Sequence, residues 1–371
     1  MSRFSLRKPK IDIFLAATVV LLVAFGLIML SSASNVISYE NFGYNYFYLY
    51  RQIAFVVIGM IGWILTQSIH YHYWKKMAWP FLIVSFILTL AVLIPGVGFN
   101  YNGASRWLNL GFFLLQPAEI LKLAFFLYLA HFFDENRQRL YSFKKVFVPF
   151  CVMLGAIGIV ILKQPDMGTF MIIAVTAIAI YFVAGARPVH MALLGAGAVG
   201  GIMFMIKAAP YRMQRLLVFL DPEKDPLGVG FHINQALIAV GSGGFFGRGF
   251  VKSGQKYTGY IPEAPGDSIF AIIAEELGFV KVVFAPILLF FLFAWRGFLV
   301  ARRAPDYFGK LVAFGITSWI VFQACINIAT MLSLVPLTGV PLPFISYGGS
   351  AIIMNLTAVG ILMNISKHSN K

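Results

Sequence analysis

The sequence is short of charge and shortest of acid. Only 12% of its 371 residues are charged, with 14 Asp and Glu against 29 Lys and Arg. Soluble domains carry about 25% charged residues, so a water-soluble globular fold is excluded. Cysteine is nearly absent: Cys151 and Cys325 both fall inside apolar runs and read as small buried hydrophobes, silent about redox compartment. The six histidines are scattered without zinc spacing, so no protein-built zinc site is expected. No Ser-His-Asp constellation and no ATP-binding motif stands out. Asp221 to Asp225 imitates the start of a calcium loop, but Pro226 at its sixth position and His232 at its twelfth exclude an EF-hand. The glycine run Gly241 to Gly249 lacks the Gly-Lys-Ser/Thr ending of a phosphate-binding loop. The net charge of +15 suggests nucleic acid, but the basic residues sit in loops that membrane topology already explains, so no nucleic-acid partner is expected.

What the chain has in abundance is hydrophobic sequence, 60% of it. A membrane span takes about 20 apolar residues, and in lipid such a run must be a helix because its backbone polar groups have no water to bond. Ten apolar runs are present, at 11–32, 53–69, 79–95, 117–133, 146–162, 168–184, 189–206, 268–295, 311–334 and 350–365. The expected fold is therefore an all-α polytopic membrane protein of about ten transmembrane helices, a single integral membrane domain over 1–371. The basic N-terminus and the first run resemble a signal peptide, but the run is too long for a signal h-region and reads as an uncleaved first span.

Charge sets the expected orientation. With the N-terminus inside, the inner loops carry Lys75, Lys76, Arg137, Arg139, Lys144, Lys145, Arg187, Arg296, Arg302, Arg303 and Lys310, and the C-terminus adds Lys367 and Lys371. The short outer loops carry only Arg51, Arg106 and Lys163, at helix mouths. This positive-inside bias puts both termini in the cytoplasm. The Tyr- and Phe-rich stretch Tyr39 to Tyr50 reads as an interfacial aromatic belt.

One long loop, 207–267 between helices seven and eight, falls outside and breaks the bias. Lys207, Arg212, Arg215, Lys224, Arg248, Lys252 and Lys256 lie in it, either as a tolerated basic loop or as a site for an anionic ligand. Its glycines let backbone lie close at a re-entrant turn, or let amides approach a phosphate; Ile233 to Val240 reads as a short amphipathic or re-entrant helix. Four polar groups at helix ends have two readings each. Glu119 and Lys122, three apart on one helix face behind Pro117, are a functional pair or an inward-facing brace. Asp166 and Asp267 are helix caps or site carboxylates.

Five stretches then carry a resemblance: Asn102 to Trp107 with Gln116 to Lys122; Gln164 to Thr169; Gly241 to Gly244 with Gly247 to Gly249; Tyr260 to Glu263 through Asp267 to Gly278; and Gly339 to Ser350. In order, they resemble the SEDS family (shape, elongation, division and sporulation), which includes FtsW and RodA; the wording around Gln255-Lys256 and Tyr260 to Ala264 leans towards the division type. The resemblance implies a ten-helix peptidoglycan glycosyltransferase polymerising lipid II at the outer face of the cytoplasmic membrane, beside a class B penicillin-binding protein transpeptidase and other division or elongation proteins. It implies that Asp267 is the catalytic residue. The family usually has Thr-Asp-Phe there, preceded by histidine; this chain has Pro265-Gly266-Asp267-Ser268. Lipid II and undecaprenyl-pyrophosphate-linked glycan are then the ligands, with Arg106, Glu119, Lys122, Asp166, Arg212, Arg215, Arg248, Lys256 and Ser350 as candidate substrate contacts. The pyrophosphate leaving group needs positive charge from these bases or from a divalent cation such as Mg2+; no other cofactor is expected. A lipid II flippase is the alternative function, and a scaffold that recruits the transpeptidase a third.

Overall fold

The computed structural model describes residues 11–101, 104–111, 113–208, 210–221, 228–256 and 261–369. It is a helical bundle: α1 (Ile13–Ala33), α2 (Asn35–Phe42), α3 (Phe47–Ser68), α4 (His72–Ala91), α5 (Pro117–Glu135), α6 (Val148–Lys163), α7 (Met167–Val183), α8 (Pro188–Ala208), α9 (Pro210–Leu220), α10 (Val229–Gly243), α11 (Ile269–Val282), α12 (Leu288–Arg302), α13 (Tyr307–Met331) and α14 (Gly349–His368). Each of the ten apolar runs is helical, and seven of the resulting segments are long and apolar enough to cross a membrane on their own.

Two departures from the expected architecture have physical reasons. The loop before α5 is not irregular throughout. It forms a three-stranded antiparallel sheet, β1 (Gly98–Tyr101), β2 (Ala104–Asn109) and β3 (Leu114–Leu115), with Tyr101 paired to Ala104. The sequence between that pair is Asn102-Gly103, the strongest short hairpin signal. The eighth run is not one straight helix. It breaks at Gly278 (φ 76°, ψ 171°) and passes through a widened turn, Val283–Ile287, before α12. Pro286 lies in that turn, where its missing N–H prevents a regular helical bond.

The bundle is centred on α13 and α14, whose side chains are mostly buried. The outer helices turn apolar residues outward: Val20, Leu21 and Ile28 on α1, Ile61 and Ile64 on α3, Val84 and Ile87 on α4, and Phe291 on α12. A water-soluble protein would not tolerate so continuous an apolar exterior; in a bilayer it faces lipid. Without a hydrophobic drive between helices in lipid, close backbone approach does the holding. On α14 a Cβ at Gly360 would sit 2.0 Å from Thr66 Oγ1 and 2.5 Å from the Trp63 carbonyl on α3. Thr66 Oγ1 meets the Thr357 carbonyl across the same contact at 2.9 Å.

Polar groups fasten the end where the termini meet. Asp12 caps α1 through Leu15 N, and its Oδ2 accepts from Arg296 Nη2 at 2.7 Å. Asp306 caps α13 through Gly309 N and also accepts from Tyr71. At the opposite end, the segment from Leu332 to Gly348 folds back into the bundle without helix; Val340, Leu342, Phe344 and Ile345 are buried. Its backbone is satisfied by inward-reaching side chains, among them Gln52 on the Ser346 carbonyl and Asn327 on the Val340 carbonyl. Irregular backbone at this depth is tolerated only when protein partners replace water.

Candidate active site

α11 begins just after Asp267, and the local geometry decides between its two readings. The residue before the helix is Ser268, with no side-chain capping bond, so Asp267 is not the cap. Its main chain is fixed instead: Asn327 Nδ2 on α13 donates to the Asp267 carbonyl at 2.7 Å, and Tyr347 N donates to the Pro265 carbonyl at 2.8 Å. Among the described residues the carboxylate has one side-chain hydrogen-bond partner, the Ser268 hydroxyl at 3.3 Å from Oδ1. Burial pushes its pKa up to about 6, while the Ser268 hydroxyl, the adjacent backbone N–H groups and the charge of Arg215 pull it back down. A partly buried carboxylate with few side-chain donors, titrating near pH 6, is poised to accept a proton.

Two groups near it come from elsewhere in the chain, Arg215 acting on its charge and His232 reaching its neighbour Ser268. Arg215 on α9 is held by a bond from Nη1 to the Leu337 carbonyl at 2.9 Å. His232 on α10 places Nε2 2.6 Å from Ser268 Oγ. Burial, then the charge of Arg215, holds that imidazole down at about 4, with Glu263 opposing, so it is neutral at physiological pH. Of these, Arg215 is a predicted contact; His232, Ser268 and Asn327 are not. No spacing pattern in the sequence links positions 232 and 268, and only the fold joins them.

The next two carboxylates on α11 have a different task. Glu275 accepts from Ser253 Oγ at 2.5 Å, Gly254 N at 3.0 Å and Arg248 Nη1 at 3.3 Å. Glu276 Oε1 accepts from Ser32 Oγ at 2.6 Å and from Lys256 Nζ at 2.9 Å, and both partners are buried. The glycine run docks onto this same stretch. Arg248 N and Gly249 N donate to the carbonyls of Glu275 and Glu276, and Phe279 N and Val280 N return bonds to the carbonyls of Gly244 and Phe245. A Cβ at Gly278 would lie 2.1 Å from Gly247 N. Of the two readings of the glycines, the structure selects close backbone approach: the amides bond helix carbonyls. It also places Lys256 in a buried ion pair with Glu276, and Arg248 in a half-exposed one with Glu275.

The remaining predicted contacts fall in the interior or at its edge. Lys122 Nζ meets Glu119 Oε1 at 2.7 Å and Gln323 Oε1 at 3.0 Å, and stands 4.9 Å from the Trp319 ring centroid; both charges are buried. Asp166 caps α7, accepting from Thr169 N at 3.2 Å and Thr169 Oγ1 at 2.9 Å, and Gln116 Nε2 reaches it at 3.4 Å. Ser350 Oγ accepts from Gln116 N at 2.8 Å. Arg106 donates to the carbonyls of Gln164 and Pro165. These residues form braces between α5, α7, α13, α14 and the sheet. Arg212 lies on α9, but its side chain, like that of Lys207 and all of Lys224, is outside the described residues.

Comparison with known proteins agrees with this arrangement. A family model described as cell cycle protein, FtsW/RodA/SpoVE, matches residues 12–371. The chain belongs to the FtsW/RodA/SpoVE family. It is 42% identical over 363 residues to stage V sporulation protein E of Bacillus subtilis, covering 98% of this chain and 99% of that one. It is 40% identical over 365 residues to a probable peptidoglycan glycosyltransferase FtsW of Trichlorobacter lovleyi, covering 97% and 95%. Among solved structures, it matches a chain from work on the structural coordination of polymerization and crosslinking by a peptidoglycan synthase complex, with TM-score 0.79, 26% identity and coverage of 97% and 99%. Thermus thermophilus RodA matches with TM-score 0.71, 25% identity and coverage of 97% and 98%. An FtsW/RodA/SpoVE fold thus carries the Asp267 site in a polytopic, mostly helical membrane protein.

Proposed function

We propose that this chain is a peptidoglycan glycosyltransferase that polymerises lipid II, with Asp267 as its general base. The observation that carries the reading is the state of that carboxylate: partly buried, near-neutral in pKa and, among the described residues, held by one side-chain hydrogen bond, beside Arg215. Asp267 takes the proton of the acceptor sugar's 4-hydroxyl. The freed oxygen bonds to the anomeric carbon of the growing donor strand from the face opposite the leaving group. The bond from that carbon to the diphosphate oxygen breaks, and undecaprenyl pyrophosphate departs with the electron pair, inverting the centre. Inversion needs one base and a stabilised leaving group, without a second carboxylate nucleophile. Arg215 supplies positive charge beside Asp267. Among the described residues no three His, Cys, Asp or Glu side chains converge on a metal position; a divalent cation such as Mg2+, where it takes part, would supply further positive charge to the departing diphosphate.

In this reading all ten apolar runs cross the cytoplasmic membrane, both termini are cytoplasmic, and 207–267 lies outside; the distribution of basic residues supports it. A class B penicillin-binding protein transpeptidase is the expected partner, supported by the likeness to a chain of a synthase complex that couples polymerization to crosslinking. The relatives named FtsW and stage V sporulation protein E support a role in division-type wall synthesis.

The test is purified protein in detergent with lipid II, with and without Mg2+ and the transpeptidase. The expected result is glycan polymer without any bilayer, lost in Asp267→Ala while that variant still folds and inserts. Normal polymer from Asp267→Ala refutes the assignment. The buried Glu119–Lys122 pair is what a flippase would also contain; lipid II crossing vesicle bilayers with no polymer in detergent would select that function instead.

A further inference from the structure

We infer that His232 is a positioning residue for the Asp267 carboxylate, acting through the Ser268 hydroxyl. The inference rests on the reading of Asp267 as the base. Ser268 Oγ has one proton and three polar neighbours: His232 Nε2 at 2.6 Å, the Pro262 carbonyl at 2.9 Å and Asp267 Oδ1 at 3.3 Å. A carbonyl and a carboxylate only accept. If His232 Nε2 accepted as well, the hydroxyl proton would turn to the imidazole. Two oxygens would then face the lone pairs of Oγ in a buried site, where an unmet acceptor is costly. The arrangement closes when Nε2 carries the proton and donates to Oγ. The hydroxyl proton is then free for Pro262 or for Asp267.

That freedom suits a base. Before reaction, the hydroxyl donates to Asp267 Oδ1 and stabilises its charged form. Once Asp267 has taken the acceptor's proton, it becomes a donor. Ser268 can then turn its proton to the Pro262 carbonyl and accept from the new carboxylic acid. The oxygen stays in place through both states because His232 holds it from a third side. Among the described residues, the charged and titratable groups facing this trio are Arg215 from α9, which acts on both His232 and Asp267, and Glu263 from the turn, which acts on His232. Burial, and after it Arg215, disfavours imidazolium, which keeps His232 a neutral single donor at this position. Ser268 also stands where the resemblance places a phenylalanine, so the device belongs to this chain's own residues.

The experiment measures initial rates of lipid II polymerisation against pH for purified Ser268→Ala, His232→Phe, His232→Asn and the double variant Ser268→Ala/His232→Phe, each checked for folding by thermal unfolding. Removing a donor from a carboxylate raises its pKa, so the acidic limb in Ser268→Ala moves to higher pH, by about one unit. His232→Phe moves it in the same direction. The double variant moves it no further than Ser268→Ala alone, since both act through one hydroxyl. His232→Asn, whose amide can still donate, returns the limb towards wild type. An unmoved limb in His232→Phe, additive shifts in the double variant, or His232→Asn behaving as His232→Phe overturns the inference. If His232→Phe does not fold, Ser268→Ala and His232→Asn decide: an unmoved limb in the first, or a fully displaced one in the second, overturns it. Activity retained in Asp267→Asn would overturn the underlying reading instead, whatever His232 does.

Discussion

Three carboxylates lie between positions 267 and 276, and they end in opposite circumstances. Glu275 uses both oxygens on Ser253, Gly254 and Arg248, and Glu276 gathers Ser32 and Lys256 on one. Among the described residues Asp267 has one side-chain donor, the neighbouring hydroxyl at 3.3 Å, besides the adjacent backbone N–H groups. The first two neutralise basic residues and seat the glycine run on the break in α11. The third keeps its proton affinity. Acidic residues are scarce in this chain, so the contrast separates structure from chemistry: a carboxylate paired with a basic side chain holds the fold, and one held by a neighbouring hydroxyl and backbone N–H groups is available to a substrate.

The largest effect that tests this contrast is at Asp267. Asp267→Asn keeps the shape and removes the base, and a positioned base contributes typically ~10²–10⁴-fold. Polymerisation of lipid II should fall by at least that order while the variant unfolds at the same temperature or higher. The sign follows from burial. The folded state holds the Asp267 proton up to about pH 6, whereas an exposed Asp loses it near pH 3.9. Stability therefore falls as pH rises through that window, and the amide escapes the loss. Wild-type activity should correspondingly decline as pH drops through about 6. A destabilised Asp267→Asn at neutral pH would place Asp267 with the structural carboxylates and end the distinction.

Glu276→Gln attacks the other side of the comparison. It leaves Lys256 buried without its counter-charge, and breaking a buried pair from one side costs about 3–5 kcal/mol. The expected outcome is poor accumulation in the membrane and a large drop in thermal stability, with residual activity in proportion to folded protein. If the folded fraction is normal and only turnover is lost, Glu276 belongs to the chemistry. Gly278→Ala should act at the same junction with a smaller loss. A residue with a Cβ is strained at φ 76°, and the added atom meets Gly247 N at 2.1 Å; such a substitution costs more than about 1 kcal/mol. Hydrogen exchange should show Gly243 to Gly249 released from α11 before any other helix loosens.

Much of this was legible in the sequence, and the boundary is physical. Apolar runs and lipid leave a backbone one choice, so all ten runs are helical. Pro117 opens α5, as its missing N–H allows, and Asp166 caps α7. Asp267 was among few carboxylates that could serve, and resemblance singled it out. What could not be read were contacts between distant residues. Ser32 and Lys256 are 224 positions apart and share Glu276; His232 and Ser268 are 36 apart with no periodicity to join them. The break at Gly278 depends on a turn thirty residues upstream, so the local sequence reads as one helix. The small sheet is different: its Asn-Gly signal is present, but two-residue hairpins are easily passed over in a chain dominated by helices.

Arg248→Ala should have the smallest effect, and it asks whether position in the basic loop or exposure decides what a cation does. Arg248 and Lys256 both pair with α11 glutamates, but the Lys256 side chain is 1% exposed and that of Arg248 48%. A half-exposed pair at 3.3 Å contributes about 0–1 kcal/mol and is screened by salt. Glu275, itself buried, would keep Ser253 Oγ and Gly254 N after the guanidinium is gone, so its charge stays hydrogen-bonded. Thermal stability should move by no more than a few degrees, and less at high salt. The lipid II concentration giving half-maximal rate then becomes the informative readout. If it rises several-fold while stability holds, the exposed face of Arg248 touches the anionic headgroup. If it stays level, Arg248 serves only to seat the turn, and Arg215 is the cation to pursue next to Asp267.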